Sequence, residues 1–268
     1  MAKLIPLTIF IIAKNEADRI AATLNPAMKL AEDVLVVDSG STDGTQGLCE
    51  SIGARVLHNE WPGYGPQKRF AEDNSKFSWL LNLDADEVMP VGLVEELRDL
   101  FKDGAPDVKA WEIPIAEVFP GESQPHRYAY SLAPVRLYSK EVGRYSESPV
   151  HDRVVLEPNT NVHRLKNRIH HFSTRSLAHE MQKFNNYSDM QVSDLAKRGK
   201  TLPGWRLFTE FPFAFFKAYF LRRHFLRGQY GYMVAMNYAM FRHLRVAKHL
   251  ERRLMANSEA SSENDTLS

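Results

Sequence analysis

Three carboxylates crowd the end of a hydrophobic run in "WLLNLDADEVMP", Trp79 to Pro90: Asp84, Asp86 and Glu87. Like charges that close repel, and burying them is costly unless something positive compensates. Asp84 and Asp86 stand at i and i+2, on one side of an extended chain. Hard oxygen donors at that spacing suit Mg²⁺ or Mn²⁺ bound together with the phosphates of a substrate. A polar turn capping a helix near Pro90 would use the same residues. A second acidic strand end favours the cation. In "VVDSGSTDGT", Asp38, Ser39, Ser41, Thr42 and Asp43 precede a helix. Thr42 or Asp43 can serve as a helix cap. Asp38 comes before the turn, so capping does not explain it.

The elements that must position these residues read as alternating strands and helices. "LTIFIIA" is a buried strand, followed by a helix over 15–31 that is interrupted or ended near Pro26. "DVLVVDSG" is a second strand, "TDGTQGLCESIG" a turn and helix closed by Gly53, and "ARVLH" a third strand. A Gly/Pro loop, "WPGYGP", leads to a helix over 67–74; "SWLLNLD" is a fourth strand and "VGLVEELRDLF" a helix. This alternation predicts an α/β fold with a mainly parallel sheet covered on both faces. Ligands of such sheets bind beyond the carboxyl ends of the strands. Those ends carry Asn15 and Glu16, Asp38 and Ser39, then Asp84 and Asp86. "AWEIPIAEVF", "APVRLYS", "DRVVLE" and "NVHRLKNRIHHFS" predict an antiparallel or mixed extension, and from about Ser176 the pattern turns helical. No GxGxxG follows the first strand and no GxxxxGK[ST] occurs, which weakens the dehydrogenase and P-loop readings.

The 268 residues and 44% hydrophobic content are enough for a sizeable core. A single cysteine, Cys49, excludes an intrachain disulfide and a cysteine zinc site, and fits a reducing compartment. "LIPLTIFIIA" has the look of a signal-peptide core, but Lys14, Asn15 and Glu16 follow without a small-residue cleavage site, so a buried strand is the better reading. No apolar run reaches the roughly 18 residues of a spanning helix. The net charge of +1 hides a segregation: residues 197–253 carry 13 Lys+Arg against 2 Asp+Glu. Such a basic segment suits an anionic partner.

"IIAKNEADRI", "VLVVDSGSTDGT" and "WLLNLDADE", in that order, resemble the successive signatures of family 2 glycosyltransferases with a GT-A fold. "WPGYGPQKRF", "PVRLYS" and "SPVHD" narrow the resemblance to the subgroup that adds sugars to the inner core of bacterial lipopolysaccharide, the β-1,4-glucosyltransferase type. The match covers residues 5 to about 175. The resemblance implies that Ala13, Asn15 and Glu16 line the nucleotide, that Asp38 reads the uracil with Ser39 and Ser41 beside it, and that Lys68 lies near the diphosphate. It makes Asp84 and Asp86 the metal-binding acid pair, Asp86 the stronger ligand for Mg²⁺ or Mn²⁺. His170 and His171 end another strand; His171 is a candidate additional ligand, with His170 behind it, and a structural histidine is the competing reading. Inverting transfer also needs a base for the acceptor hydroxyl. Asp152 is the candidate, with Glu147 and Glu117 in reserve. The subgroup more often has Glu there, and its "ED" pair is replaced by His151–Asp152. Asp152 could instead pair with Arg153 or Arg136.

The implied enzyme is an inverting, metal-dependent glycosyltransferase that moves a sugar, foremost glucose from UDP-glucose, to a lipid-linked saccharide such as the lipopolysaccharide inner core. A catalytically silent glycan- or membrane-binding protein, or a nucleotidyltransferase, would share the fold. The aromatic, basic segment from Trp205 to Arg253 presents Phe and Tyr beside Arg, as an interfacial helix does to anionic lipid. Arg206, Glu210, Lys217 and Arg222 interrupt it, so the contact expected is peripheral, on the cytoplasmic face of the bacterial inner membrane. A core helix with its charges in solvent is the competing reading. No nucleic-acid-binding motif accompanies the charge, so no nucleic-acid partner is expected. The expected organisation is a GT-A domain over 1–175, a helical membrane-associating extension over 176–256 and a disordered tail over 257–268.

Overall fold

The computed structural model describes residues 3–149 and 152–266. The chain divides into two compact units: residues up to Pro125 with 131–173, and residues 126–130 with 174 onward.

The first unit opens with β1 (Ile5–Ala13), α1 (Ile20–Met28), β2 (Ala31–Asp38), α2 (Thr45–Ile52), β3 (Arg55–His58), α3 (Tyr64–Asp73), β4 (Trp79–Asp84), β5 (Glu87–Val88) and α4 (Val91–Leu100). β1 lies between β2 and β4, parallel to both, and β3 extends the sheet beyond β2. Both faces of β1 are buried. Leu7, Ile9 and Ile11 enter one core with Ile20 and Leu24 of α1 and Leu93 and Leu97 of α4. Phe10 enters another with Leu35, Ala71 and Tyr138. That is why β1 reads as an unbroken apolar run rather than an alternation.

Eight further strands follow: β6 (Ala110–Glu112), β7 (Ile115–Glu117), β8 (Ser131–Leu132), β9 (Val135–Ser139), β10 (Gly143–Tyr145), β11 (Val154–Leu156), β12 (Val162–Arg164) and β13 (Ile169–His171). The main sheet has seven strands in the order β12-β6-β9-β4-β1-β2-β3, with β9 antiparallel to both neighbours. A four-stranded sheet runs β5-β13-β7-β8, and β10 pairs with β11.

Several boundaries differ from the sequence expectation. The helix expected over 15–31 is confined to α1, because Asn15 takes a left-handed conformation (φ 56°) and β2 already begins at Ala31. Pro26 is kept inside α1, two residues from its end. α3 starts at Tyr64, inside the expected loop. Pro66 then falls in the first turn, where a helix needs no N–H from it. "AWEIPIAEVF" and "NVHRLKNRIHHFS" each form two strands, not one. β6 and β12 pair in the main sheet, β7 and β13 in the smaller one. Pro114, between β6 and β7, cannot donate to a ladder.

The second unit is helical: α5 (Leu177–Lys197), α6 (Arg206–Phe216), a π-helical turn Lys217–Leu221, a 3-10 turn His224–Arg227, and α7 (Gly228–Thr266). Ser176 caps α5, its Oγ accepting from the His179 N–H at 3.2 Å. α5 packs on α7, with Phe184 stacked on Phe241. The backbone of α7 continues to Thr266, through the Ser/Asn/Glu-rich end whose composition predicts disorder. No helix among the described residues is long and apolar enough to cross a membrane.

Candidate active site

Strand register brings the polar strand ends to one rim. Ala13 stands opposite Asp38, and Ile12 opposite Asp84. The loops after β1 and β2 are laced together. Asn15 N–H donates to Ser41 Oγ (2.8 Å), Thr42 N–H to Asn15 Oδ1 (2.9 Å) and Glu16 N–H to Thr45 Oγ1 (2.9 Å). The left-handed Asn15 lets both its backbone and its side chain face this loop; Asn tolerates that conformation better than most residues.

Asp38 is fully buried. Its Oδ1 accepts from the Gly40 and Ser41 N–H groups (both 2.9 Å) and from Gln46 Nε2 (2.5 Å), and Oδ2 accepts from the Ser41 hydroxyl. Burial pushes its pKa up, but these donors outweigh burial and hold it below the ordinary carboxylate value. Asp38 therefore shapes the turn that carries Ser41. Ser39, also buried, accepts from Gln67 Nε2 of α3 at 2.9 Å.

α3 turns a polar face inward: Gln67, Lys68 and Glu72 are buried with Ala71. Glu72 accepts from Tyr138 Oη (2.6 Å), Tyr145 N–H (2.9 Å) and Arg144 Nε (3.0 Å), which anchors the helix. Lys68 Nζ then reaches Asp84 Oδ1 (3.2 Å) and Asp152 Oδ2 (2.6 Å), and lies over the Tyr145 ring. Burial works against the Lys68 charge, but Asp84 heads the influences that raise its pKa overall. The partner of Asp152 is thus Lys68, and the pairing considered with Arg153 or Arg136 is replaced by it. The Gly/Pro loop explains how Asp152 gets there. Tyr64 and Gly65 N–H donate to Pro149 O (3.0 Å) and Ser148 O (3.1 Å). A side chain at Gly65 would collide with the Ser146 carbonyl. The approach to α3 thus sets the segment leading to Asp152; His151 lies outside the described residues.

The acid pair is compensated by the protein's own cations. Asp84 meets Lys68 on one oxygen and Arg136 Nη2 (3.3 Å) on the other. Asp86 meets Arg19 Nη1 (3.1 Å) and His171 Nε2 (3.4 Å). Burial raises the Asp84 pKa, but Lys68 and Arg136 hold it well below the carboxylate range. Burial opposes the charge on Asp86 too, and His171 and Arg19 together more than offset it, holding its pKa below the ordinary value. Glu87 points inward: it is buried, accepts from Arg136 Nη2 (2.9 Å) and from the Asp84 N–H (2.9 Å), and burial raises its pKa despite Arg136. β13 runs antiparallel to β5 with His171 opposite Glu87, and Phe172 N–H donates to Asp86 O at 2.9 Å. This pairing brings His171 to the acids. His170 is held below its ordinary pKa by burial and Arg168.

Asp86 and His171 therefore lie together, and Asp84 stands on the same rim, held by Lys68 and Arg136. Among the described residues no group of three His, Cys, Asp or Glu side chains is placed to hold a metal ion on its own. The donors present fit a divalent ion of another kind: Asp86 Oδ1 and His171 Nε2, 3.4 Å apart, are close enough to share one ion. Mg²⁺ and similar ions use one or two carboxylates and fill other positions with substrate phosphate oxygens. Of the reserve bases, Glu147 is 81% exposed and pairs with Arg69 at 3.5 Å, while Glu117 accepts from Ser173 Oγ at 2.9 Å. Arg19 escaped the sequence reading, and Arg136, considered there only as a partner for Asp152, lies buried on β9 against Asp84 and Glu87. The signal for Arg136 was a lone charge between apolar residues in "PVRLYS".

Residues 8–154 match the family model described as glycosyl transferase family 2. The chain is 36% identical to an uncharacterized glycosyltransferase of Rickettsia felis, over 95% of both chains. It is 30% identical to the lipopolysaccharide core biosynthesis glycosyltransferase LpsC of Rhizobium meliloti, over 92% of this chain and 93% of that one. Among solved structures, S. aureus TarS 1-349 in complex with UDP-GlcNAc is similar with a TM-score of 0.48 and 13% identity, over 94% of this chain and 92% of that one.

Proposed function

The chain belongs to glycosyl transferase family 2 and is a glycosyltransferase with a GT-A fold; from that premise we propose that it moves glucose from UDP-glucose, with inversion, to a lipid-linked saccharide of the lipopolysaccharide inner core. The observation that carries the reading is the convergence of Asp84, Asp86, His171, Lys68 and Asp152 at the carboxyl ends of the parallel strands. The 30% identity to LpsC supports the acceptor class.

Ala13, Asn15, Glu16 and the Asp38-organised turn with Ser39 and Ser41 receive the uridine. Lys68 faces the diphosphate. Asp86 and His171 would hold Mg²⁺ or Mn²⁺, with Asp84 completing the set once the diphosphate draws Lys68 away. The ion's contribution is to neutralise charge on the departing diphosphate. Lys68 Nζ occupies Asp152 Oδ2, so Lys68 must leave before that oxygen can face the acceptor hydroxyl. The donor diphosphate supplies the competing anion. Asp152 then takes the proton of the acceptor hydroxyl as its oxygen bonds to the anomeric carbon and the bond to the diphosphate breaks. Attack opposite an α-linked leaving group gives a β-linked product. The lipid-linked acceptor places the enzyme peripherally on the cytoplasmic face of the inner membrane, and the basic segment over 197–253 supports this.

Release of UDP from a panel of UDP-sugars, with and without lipopolysaccharide precursors, tests the reading. Acceptor- and metal-dependent release from UDP-glucose is expected. UDP-sugar binding without any turnover would overturn it in favour of a silent binding protein.

A further inference from the structure

α6 and the turn after it form one wall of a groove of about 730 Å³, wholly within the helical unit. Its apolar lining faces solvent: Trp205 is 62% exposed, Phe213 72% and Leu221 68%, with Phe216 beside them. Phe213 and Phe216 stand at i and i+3, neighbours on one face of α6. An exposed aromatic face of this kind is unfavourable in water and calls for a cover.

The base of the same groove is charged. Glu210 is buried and receives Arg206 (Nε at 3.0 Å), Arg242 (Nε at 2.8 Å) and Arg245 (Nη2 at 3.3 Å). Three guanidinium groups meet one carboxylate, which leaves positive charge in excess. Lys217, on the groove wall, adds to it. The crowding shows in Arg245: burial first, then Arg242, lower its pKa. Its buried Nε has no hydrogen-bond acceptor among the described residues. Packing α6 on α7 explains one or two of these arginines, not the excess. Arg245 stands behind the lining; on the lining itself Arg206, Lys217 and Arg242 face the single carboxylate of Glu210, so the groove combines an apolar wall with an excess of positive charge. A free inorganic anion would leave the aromatic wall in water, and a neutral amphiphile would leave the cations unmatched.

We infer that this groove binds one anionic phospholipid of the bilayer, its phosphate on Arg206, Lys217 and Arg242 and an acyl chain along Trp205, Phe213 and Phe216. The inference rests on the peripheral-membrane reading and deepens it: the contact is a built lipid site, not a diffuse attraction between a basic face and a charged surface.

Trp205 reports on the site directly. Vesicles of phosphatidylglycerol with dibrominated acyl chains should quench the part of the emission that Trp205→Phe removes. Phosphatidylcholine vesicles with the same chains should not. Lys217→Glu, at an exposed position, should lower partition onto phosphatidylglycerol roughly tenfold, and Phe213→Ser should do so by about as much. Sedimentation with phosphatidylglycerol vesicles but no Trp205 quenching would overturn the lipid site and leave the peripheral contact standing. Equal quenching by phosphatidylcholine would overturn the demand for an anion. Absence of sedimentation with either vesicle would overturn the site and the peripheral contact together, while UDP release would still report on glycosyl transfer.

Discussion

Lys68 Nζ lies 2.6 Å from Asp152 Oδ2 and 3.2 Å from Asp84 Oδ1, so one buried ammonium joins the proposed base to the acid pair. The base is thus restrained by the residue assigned to the diphosphate. Asp152→Asn keeps the size of the side chain and removes its proton acceptor. Turnover should fall about 10²-fold or more, the usual scale for a general base, with little change in the donor KM. Steady-state kinetics with UDP-glucose and acceptor check this. Unchanged turnover would move the role to Glu147 or Glu117.

Asp86 is buried at the rim, where its carboxylate bridges Arg19 and His171. Asp86→Ala should abolish nearly all transfer while circular dichroism shows the fold retained; some loss of melting temperature follows from leaving His171 without its partner. Arg19 keeps a partner in Glu16, at 2.5 Å, so the substitution does not orphan it. Excess EDTA should silence the wild type, and Mn²⁺ should restore it. Asp84→Ala should weaken UDP and Mn²⁺ binding together, measured by calorimetry. An Asp86→Ala enzyme that runs at the wild-type rate in EDTA would remove the metal assignment.

Asp38 holds Gly40, Ser41 and Gln46 through four hydrogen bonds. Asp38→Asn keeps the shape and replaces charge-assisted bonds by neutral ones. Each such bond contributes on the order of 1.5–3 kcal/mol, so UDP affinity should drop about tenfold or more through a loosened Ser41 turn. Ser41→Ala, which removes the acceptor of the Asn15 N–H, should give part of the same loss. Titration calorimetry with UDP measures both; unchanged affinity in both variants would separate this turn from the nucleotide.

The acids at the strand ends were legible because alternating strands and helices send those ends to one rim, whatever their exact bounds. Their compensation was not. Arg136 reaches Asp84 only because β9 inserts antiparallel beside β4, and His171 reaches Asp86 only because β13 pairs with β5. Pairings between segments so distant in sequence leave no local periodicity. α3 misleads in another way: a helix whose buried face is Gln67, Lys68 and Glu72 has the sequence of an exposed one. The split of "AWEIPIAEVF" was written in Pro114, a residue that cannot sit inside a ladder.

Asp33 offers a stability test away from the site. Its carboxylate is buried between β1 and β3, accepting from Thr8 Oγ1 (2.9 Å), Arg55 Nη2 (2.9 Å) and the Lys76 N–H (3.2 Å). Burial pushes its pKa up, but Arg55, Lys76 and Thr8 together hold it below the ordinary value. A folded-state pKa below the unfolded one adds stability that is complete above the unfolded pKa. That stability is lost as pH falls through the folded pKa. Asp33→Asn should cost about 2 kcal/mol at neutral pH, the scale of a hydrogen bond to a charged group. Because the unfolded carboxyl titrates near about pH 4, the gap between wild type and variant should hold from pH 7 to pH 5 and narrow below pH 4. Urea unfolding across that range measures it. A gap that stays constant down to pH 3 would mean that packing, rather than the charge on Asp33, holds the edge of the sheet.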